Sequence, residues 1–232
     1  MLLNETKVSA GCELNMAVAV STRGTRLTIL TILQREGSMT VDKLAREVGL
    51  SSTTIRRHLD ILQRDLLVTF DQVREGSGRP EYLYVLTEYG HESGNRDYKS
   101  FLVDLITEIS GLSSTDVSAK NGRELLSFLI ARIADQVSWP YLQPSQSTND
   151  ARVAKLERAL SDRGFSPEIT REGDKIEIRL WNCPLRSAAL SQDAVCLFDR
   201  NLIGAILQVD AVRESSIHDG HTSCVYVAAL KS

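Results

Sequence analysis

The sequence predicts an α+β fold in which three parts of different character follow a short tail. Two short capped helices and a β-hairpin fill the first part, two amphipathic helices fill the second, and helices mixed with short strands fill the third. The predicted boundaries are residues 1–20 for a tail or accessory helix, then 21–93, 94–149 and 150–232. A chain of 232 residues is long enough for two small domains that each bury a core.

The first part contains a helix-turn-helix pattern. A first helix ends at Gly37, Thr40 can cap a second helix over residues 41–48, Gly49 supplies the turn, and Ser51 begins a third helix. Two short helices joined by a glycine-containing turn are typical of this motif.

A predicted β-hairpin follows the third helix. Two strand-like runs, residues 67–70 and 82–86, flank the glycine-rich basic segment 74–80. A hairpin with a flexible basic tip behind a helix-turn-helix is a wing. We therefore expect residues 21–93 to form a winged helix-turn-helix that binds double-stranded DNA.

The N-terminal half of the third helix is rich in hydroxyl and basic side chains. Short hydroxyls near a helix N-terminus suit phosphate anchoring, and arginine can bond guanine bidentately in the major groove. The alternatives are that the arginine pair is a solvated helix face and that the histidine packs locally. The predicted DNA contacts are Ser52, Thr53, Thr54, Arg56, Arg57 and His58 on this helix, with Arg79 at the wing tip.

Two amphipathic helices are predicted over residues 98–110 and 122–137, before a linker at 144–149. Their apolar stripes predict either an intramolecular core or a dimerisation surface. Because helix-turn-helix proteins usually bind two half-sites, we expect a homodimer on a palindromic operator, with 94–149 as its helical dimerisation region and linker.

Composition limits the partners. The net charge of −3 and the pI near 5.9 argue against a protein that coats DNA non-specifically but leave room for a site-specific regulator with a local basic face.

No apolar run is long enough to cross a membrane, and residues 1–7 lack the order of a signal peptide. We therefore expect a cytoplasmic protein with no membrane partner. The motifs of metalloproteases, P-loop enzymes and dinucleotide-binding enzymes are missing from the sequence, so an enzyme is not expected.

The cysteines are the main chemical signal of the third part. Cys183 lies between Asn182 and Pro184, Cys196 follows after twelve residues, and Cys224 begins the last predicted strand. Cysteines in a reducing compartment indicate metal or redox chemistry more than structural disulfides. Iron–sulfur clusters and zinc both bind thiolates. The alternative is that the thiols are small buried apolar groups. Cys12, in the predicted tail, is far from the other three in sequence, and its role stays open.

Two stretches resemble the SufR-type bacterial regulators, which belong to the DeoR/ArsR-like set of helix-turn-helix repressors. Residues 49–59 (GLSSTTIRRHL), with Gly-Arg-Pro at 78–80 and residues 84–87, are similar to the winged helix of that family. The Asn-Cys-Pro at 182–184, the twelve-residue gap and the closing Gly220 and Cys224 are similar to its cluster domain.

The resemblance implies a dimeric transcriptional repressor whose operator binding is controlled by a 4Fe–4S cluster in residues 150–232. Cys183, Cys196 and Cys224 would be ligands. The family has another cysteine eight residues before the last, where this chain has Ser216. A fourth ligand is therefore expected from Ser216, His218, Asp219 or His221, and zinc is an alternative metal. The alternative function is a clusterless winged-helix regulator that senses a small molecule, zinc or thiol oxidation.

Overall fold

A computed structural model of the protein describes residues 24–73, 80–142 and 148–230. The chain divides into two compact units between His91 and Glu92. The predicted α+β class and the N-terminal winged helix-turn-helix are confirmed. The predicted boundary at 149/150 stays a prediction.

The first unit consists of short helices and a small sheet. In chain order its elements are α1 (24–36), β1 (Ser38–Met39), α2 (Val41–Val48), α3 (Ser52–Arg64), β2 (Val68–Val73), β3 (Glu81–Leu86) and α4 (Glu88–Glu92), whose last residue begins the second unit. The three strands are antiparallel in the order β1-β3-β2. The predicted wing is therefore the β2–β3 hairpin.

Local sequence fixes the turn between α2 and α3. The Thr40 hydroxyl accepts a hydrogen bond from the Lys43 amide at 3.3 Å and caps α2. Gly49 ends α2 with a left-handed φ of 72°, a conformation that glycine adopts without a Cβ penalty. Ser51 caps α3 by accepting from the Thr54 amide at 3.2 Å. All three roles were expected from the sequence.

The second unit packs helices against a four-stranded antiparallel sheet. Its elements after α4 are α5 (Tyr98–Ser110), α6 (Ser114–Val117), α7 (Gly122–Ser138), a 3₁₀ turn (Trp139–Tyr141), α8 (Asn149–Asp162), β4 (Pro167–Glu172), β5 (Lys175–Leu180), α9 (Arg186–Ser191), a 3₁₀ turn (Asp193–Cys196), α10 (Leu197–Leu207), β6 (Val212–Ser215), a 3₁₀ turn (Ile217–Asp219) and β7 (Cys224–Ala229). The strand order is β4-β5-β7-β6.

The inner face of this sheet carries the core and one of the cysteines. Ile178 and Leu180 on β5 are buried and lie opposite Tyr226 and Cys224 on β7. Because side chains alternate between the faces of a strand, the Cys224 thiol and the Tyr226 ring point to the same side as the β5 core residues. α10 lies against α7 and α8 and contributes Phe198 to the same core. None of the described helices is long and apolar enough to cross a membrane.

Candidate functional site

The recognition helix α3 has one buried face and one exposed face. Ile55 and Leu59 are fully buried, whereas Thr53, Arg56 and Arg57 are exposed. This spacing follows from the 3.6-residue helical period. The exposed face can therefore enter a DNA groove without any change to the core of the first unit.

Two of the predicted hydroxyl contacts already have local partners. Ser52 Oγ donates to Asp42 Oδ1 at 2.7 Å and thereby ties α3 to α2. Thr54 Oγ1 lies 2.9 Å from Ser51 Oγ, beside the helix cap. A DNA contact by Ser52 or Thr54 would have to share or exchange these bonds, and it stays a prediction.

The predicted DNA contact by His58 conflicts with the structure. Its side chain is only 4% exposed and lies on the same helix face as Ile55 and Leu59. Burial, together with the positive charges of Arg26 and Arg57, lowers the pKa of His58, so the ring is neutral at neutral pH. Its Nδ1 atom has no hydrogen-bond partner among the described residues. His58 is therefore part of the interior. The i, i+3, i+4 spacing of Ile55, His58 and Leu59 is a sequence signal that points the same way.

The wing carries an aromatic cluster on its strands. Phe70 meets Tyr82 edge to face at 4.8 Å between ring centroids, and Tyr84 lies 5.8 Å from Phe70. Such pairs stabilise a two-stranded ribbon beyond its hydrogen bonds. The predicted wing-tip contact, Arg79, lies outside the described residues, as does Cys12.

In the second unit, the three predicted cysteine ligands line one internal cavity. Cys183 lies in the loop after β5, Cys196 ends the 3₁₀ turn before α10, and Cys224 begins β7. The Sγ atom of Cys224 accepts a hydrogen bond from the Ile217 amide at 3.3 Å. The fold thus brings together thiols that are far apart in the sequence.

The environment of the thiols keeps them protonated. Burial, followed by the nearby Asp199 carboxylate, raises the pKa of Cys196 to about 11 and that of Cys224 to about 12. The same two causes raise the pKa of Cys183 still further. In the metal-free protein these thiols are weak nucleophiles at neutral pH, because the thiolate is the reactive form.

Of the four candidates for a fourth ligand, only His218 lines the cavity. Its Nδ1 lies 2.9 Å from the Ala189 carbonyl oxygen, so Nδ1 carries the proton and Nε2 of the neutral ring is left as an acceptor. A backbone carbonyl holding the other ring nitrogen is the usual support of a metal-binding histidine.

The other three candidates lie elsewhere. Ser216 is buried, and its hydroxyl donates to Asp219 Oδ2 at 2.7 Å and accepts from the Asp219 amide, capping a 3₁₀ turn. Asp219 and His221 are exposed. The side-chain oxygen of Ser216 is therefore committed to its own turn.

Asp199 is a cavity residue that the sequence analysis missed. Its carboxylate is buried beside the three thiols and accepts a hydrogen bond from the Tyr226 hydroxyl at 2.9 Å. Burial raises its pKa to about 6, against the lowering effect of the Tyr226 hydrogen bond. The available signal was an aspartate between the apolar segments 194–198 and 202–207, since buried carboxylates are rare unless they have a specific role.

The side chains around the cavity suit a thiolate-bound metal group, but the cavity is too small to hold one. Three thiols and one oriented imidazole converge on the cavity, yet its volume of about 10 Å³ barely admits one water. Among the described residues, no group of three His, Cys, Asp or Glu side chains is arranged to hold a metal ion. Accommodation of a cluster would therefore require the thiol-bearing segments to separate.

The first unit defines the class of protein. Capped helices, a glycine turn, an exposed arginine pair and a β2–β3 wing form a winged helix-turn-helix, and the sequence model of the family described as winged helix-turn-helix DNA-binding matches residues 23–65. The chain therefore carries a winged helix-turn-helix DNA-binding domain, the defining part of winged-helix transcriptional regulators. No curated protein matches the sequence.

Two solved structures are similar over part of the chain. A mutant of ZitR from Lactococcus lactis in apo form is 18% identical, with 56% of this chain and 98% of that chain covered and a TM-score of 0.26. PadR from Bacillus subtilis in complex with operator DNA is 16% identical, with 59% and 91% covered and a TM-score of 0.26.

Proposed function

We propose that this regulator is a SufR-type repressor whose operator binding is controlled by an iron–sulfur cluster in its C-terminal region. The observation that carries the proposal is the convergence of Cys183, Cys196 and Cys224 on one cavity. Together these thiols form a donor set that a thiolate-bound group can use. Thiolates are the main protein ligands of such clusters.

The proposed ligands are the three thiols and the Nε2 atom of His218. In the family pattern a fourth cysteine would stand at position 216, but Ser216 is engaged in its own turn while His218 reaches the cavity. When bound, a 4Fe–4S cluster supplies a redox-active iron centre whose presence depends on iron and oxidants. A histidine ligand in place of a cysteine would make one corner of it more labile. The thiols must lose their protons to bind, so loading is favoured by higher pH.

A switch requires two states that differ in packing. The thiol-bearing segments pack together around about 10 Å³ of space. Loading would hold these segments apart, so the two states differ in the packing of the second unit. A ligand shifts such an equilibrium by its difference in affinity for the two states.

The proposed repressor is a homodimer on a palindromic operator. On α5, the side chains of Leu102, Val103, Ile106 and Ile109 are each at least half exposed and form an apolar face. Exposed apolar patches of this kind favour association. Two copies would present two α3 helices to half-sites separated by about one turn of DNA.

Zinc is the second candidate for the same site. Three cysteines and one histidine are a common structural zinc set, and zinc needs no sulfide. Thiol oxidation in the metal-free protein is a weaker alternative, because burial raises the pKa of all three thiols.

The test is the metal and sulfide content of protein purified without oxygen, with its visible spectrum. We expect equal amounts of iron and sulfide and a visible absorption band, both lost in Cys183→Ser. Cys12→Ser is the matched control and should keep both. Zinc without sulfide would mean that the site is a zinc site and not an iron–sulfur site. Protein that contains neither metal and resists reconstitution would overturn both.

A further inference from the structure

The chain that leaves the winged helix lies against the loop that carries Cys183. We call residues 92–98 the connecting segment and residues 182–187 the Cys183 loop. Both belong to the second unit, and the connecting segment begins at the last residue of α4. Their contacts involve side chains that sequence analysis had not singled out, apart from Asn182.

Asn182 joins the two segments from a buried position. Its Nδ2 donates to the carbonyl oxygens of Asn95 at 2.9 Å and Gly164 at 2.8 Å, and its Oδ1 accepts from Arg96 Nη1 at 2.7 Å. Both amide donors and the acceptor are therefore used, and the side chain is only 4% exposed. Loss of this geometry would leave buried polar atoms without partners, which is unfavourable.

Arg96 and its neighbour Asp97 bind the backbone carbonyls of Cys183 and of the residue that follows it. Arg96 Nη1 also donates to the Cys183 carbonyl oxygen at 3.2 Å, and Arg96 Nε lies 3.1 Å from Glu92 Oε2 in an ion pair. The Asp97 amide donates to the Pro184 carbonyl oxygen at 3.2 Å. The position of Cys183 is thus fixed by the connecting segment.

Glu92 ties the far end of the loop to the end of α4. One carboxylate oxygen accepts from Ser187 Oγ at 2.7 Å and both accept from the Tyr98 hydroxyl, which itself accepts from the Ser187 amide at 2.9 Å. Burial acts to raise the pKa of Glu92, but the hydrogen bonds from Ser187 and Tyr98 and the charge of Arg96 hold it below its ordinary value. The carboxylate is therefore ionised at neutral pH and accepts all these bonds.

Inside the first unit, α4 is fixed to the backbone that follows the recognition helix. Thr87 Oγ1 donates to the Leu66 carbonyl oxygen at 2.6 Å and accepts from the Gly90 amide at 2.9 Å. A Cβ at Gly90 would lie 2.0 Å from the Leu67 carbonyl oxygen, so the helix packs directly on that backbone. The turn at residues 65 and 66 leads from the end of α3 to Leu67.

We infer that Arg96 and Asn182 are coupling residues, which transmit the state of the Cys183 loop to the end of α4 and hence to the winged helix. The inference rests on the proposed cluster, since separation of the thiol-bearing segments would pull Cys183 away from Arg96. Release of these bonds frees the connecting segment. Coupling through one bistable element is the physical basis of allostery.

Arg96→Ala is the first test, measured as the ratio of operator affinities with and without the cluster. We expect a wild-type ratio of about 5- to 150-fold. In Arg96→Ala the ratio should fall toward one, while iron and sulfide content stay unchanged because no ligand is altered. Arg171→Ala is the matched control and should keep the wild-type ratio, since it removes an arginine on β4 that pairs with Asp150 on α8.

Arg96→Lys guards against a variant that fails to fold. Lysine keeps the positive charge beside Glu92 but lacks the planar fork that reaches Asn182 and the Cys183 carbonyl together, so an intermediate ratio is expected. A ratio that stays at the wild-type value in both Arg96 variants would overturn the coupling.

Hydrogen exchange on cluster-free protein separates this inference from the proposed function. Arg96→Ala should speed amide exchange in both residues 92–98 and 182–187, whether or not wild-type protein binds a cluster. Faster exchange in the variant, together with no cluster in wild-type protein, would overturn the proposed cluster but support the contact between the two segments. Unchanged exchange in both segments would overturn the contact itself.

Discussion

The two candidate sites differ in how their side chains relate to the core. On α3, the exposed Arg56 and Arg57 lie on the face opposite to the buried Ile55 and Leu59. In the second unit, the three thiols, His218 and Asp199 come from separate elements and line one interior cavity. In the winged helix, the predicted DNA contacts are therefore separate from the side chains that stabilise the unit. At the thiols, the proposed ligand site is itself part of the packed core.

This difference suits the two proposed tasks. A recognition surface must meet varied DNA without unfolding, so its functional side chains belong outside the core. A sensor must change the protein when its ligand binds, and a ligand enclosed by core elements has that effect because interiors are close-packed. The following predictions test whether the two sites differ in this way, in the order of the expected effect on stability.

Gly90→Ala should have the largest effect on stability. It tests whether the first unit depends on the packing of α4 as well as on the core under α3. The added Cβ would lie 2.0 Å from the Leu67 carbonyl oxygen and 2.9 Å from its carbon, and backbone atoms cannot move aside cheaply. Overpacking typically costs about 1–3 kcal/mol, and contact with backbone lies at the upper end or beyond. We expect the first unit to lose about 3 kcal/mol of unfolding free energy, measured by urea denaturation.

Gly122→Ala is the control for that experiment. Gly122 is the first residue of α7, and a Cβ there meets nothing within 4 Å. Alanine is the better helix former, so this variant should be as stable as wild type or slightly more stable. Equal stability of Gly90→Ala and Gly122→Ala would mean that α4 can move away from Leu67.

The sequence predicted local features better than assembled ones. Thr40, Gly49 and Ser51 act through contacts within a few residues, so their capping and turn roles could be read directly. His58 was predicted as a DNA contact, with local packing as the alternative, and its burial supports the alternative. Neighbours in sequence point in different directions on a helix, and that rule decides the case.

The cavity could be predicted only in part, because its members meet through tertiary packing. The cysteines were recognisable by residue type, whereas the choice of His218 over Ser216 depends on which side chain faces the cavity. Asp199 carries no motif. The strand β6 also escaped prediction, since its four residues, VRES, contain one apolar side chain and so show no apolar alternation in the sequence.

Asp199→Asn should have the next largest effect on stability. It tests whether a side chain of the thiol site also affects the stability of the core. The folded protein raises the pKa of this carboxyl from 3.8 to about 6. A raised pKa contributes stability that is fully present below about pH 3.8 and is lost as the pH rises through about 6. At pH 7, the buried charge therefore costs the cluster-free protein up to about 3 kcal/mol.

The neutral amide removes that cost while it can still accept from the Tyr226 hydroxyl. Cluster-free Asp199→Asn should be more stable than wild type at pH 7, with the advantage gone near pH 4, as measured by urea denaturation across this range. Asp210→Asn, at an exposed position, is the control. A variant less stable than wild type at pH 7 would mean that the carboxylate is stabilised as a charge.

Arg56→Ala should have the smallest effect on stability and a clear effect on DNA. Because Arg56 is exposed, its removal leaves the core intact, and unfolding free energy should change by less than about 0.5 kcal/mol. A bidentate contact to a base is worth about 1–3 kcal/mol, so operator affinity should fall by about 5- to 150-fold, with relaxed preference at one base pair. Operator binding at fixed salt, on sites with single base changes, measures both.

His58→Ala is the opposite case on the same helix. Its ring is buried with Ile55 and Leu59, so truncation should lower the unfolding free energy by about 1–3 kcal/mol and leave base preference among operator variants unchanged. If His58→Ala instead altered preference at one base pair with unchanged stability, the ring would have to turn outward on DNA. The assignment of base contacts to the exposed face of α3 and of stability to its buried face would then be wrong.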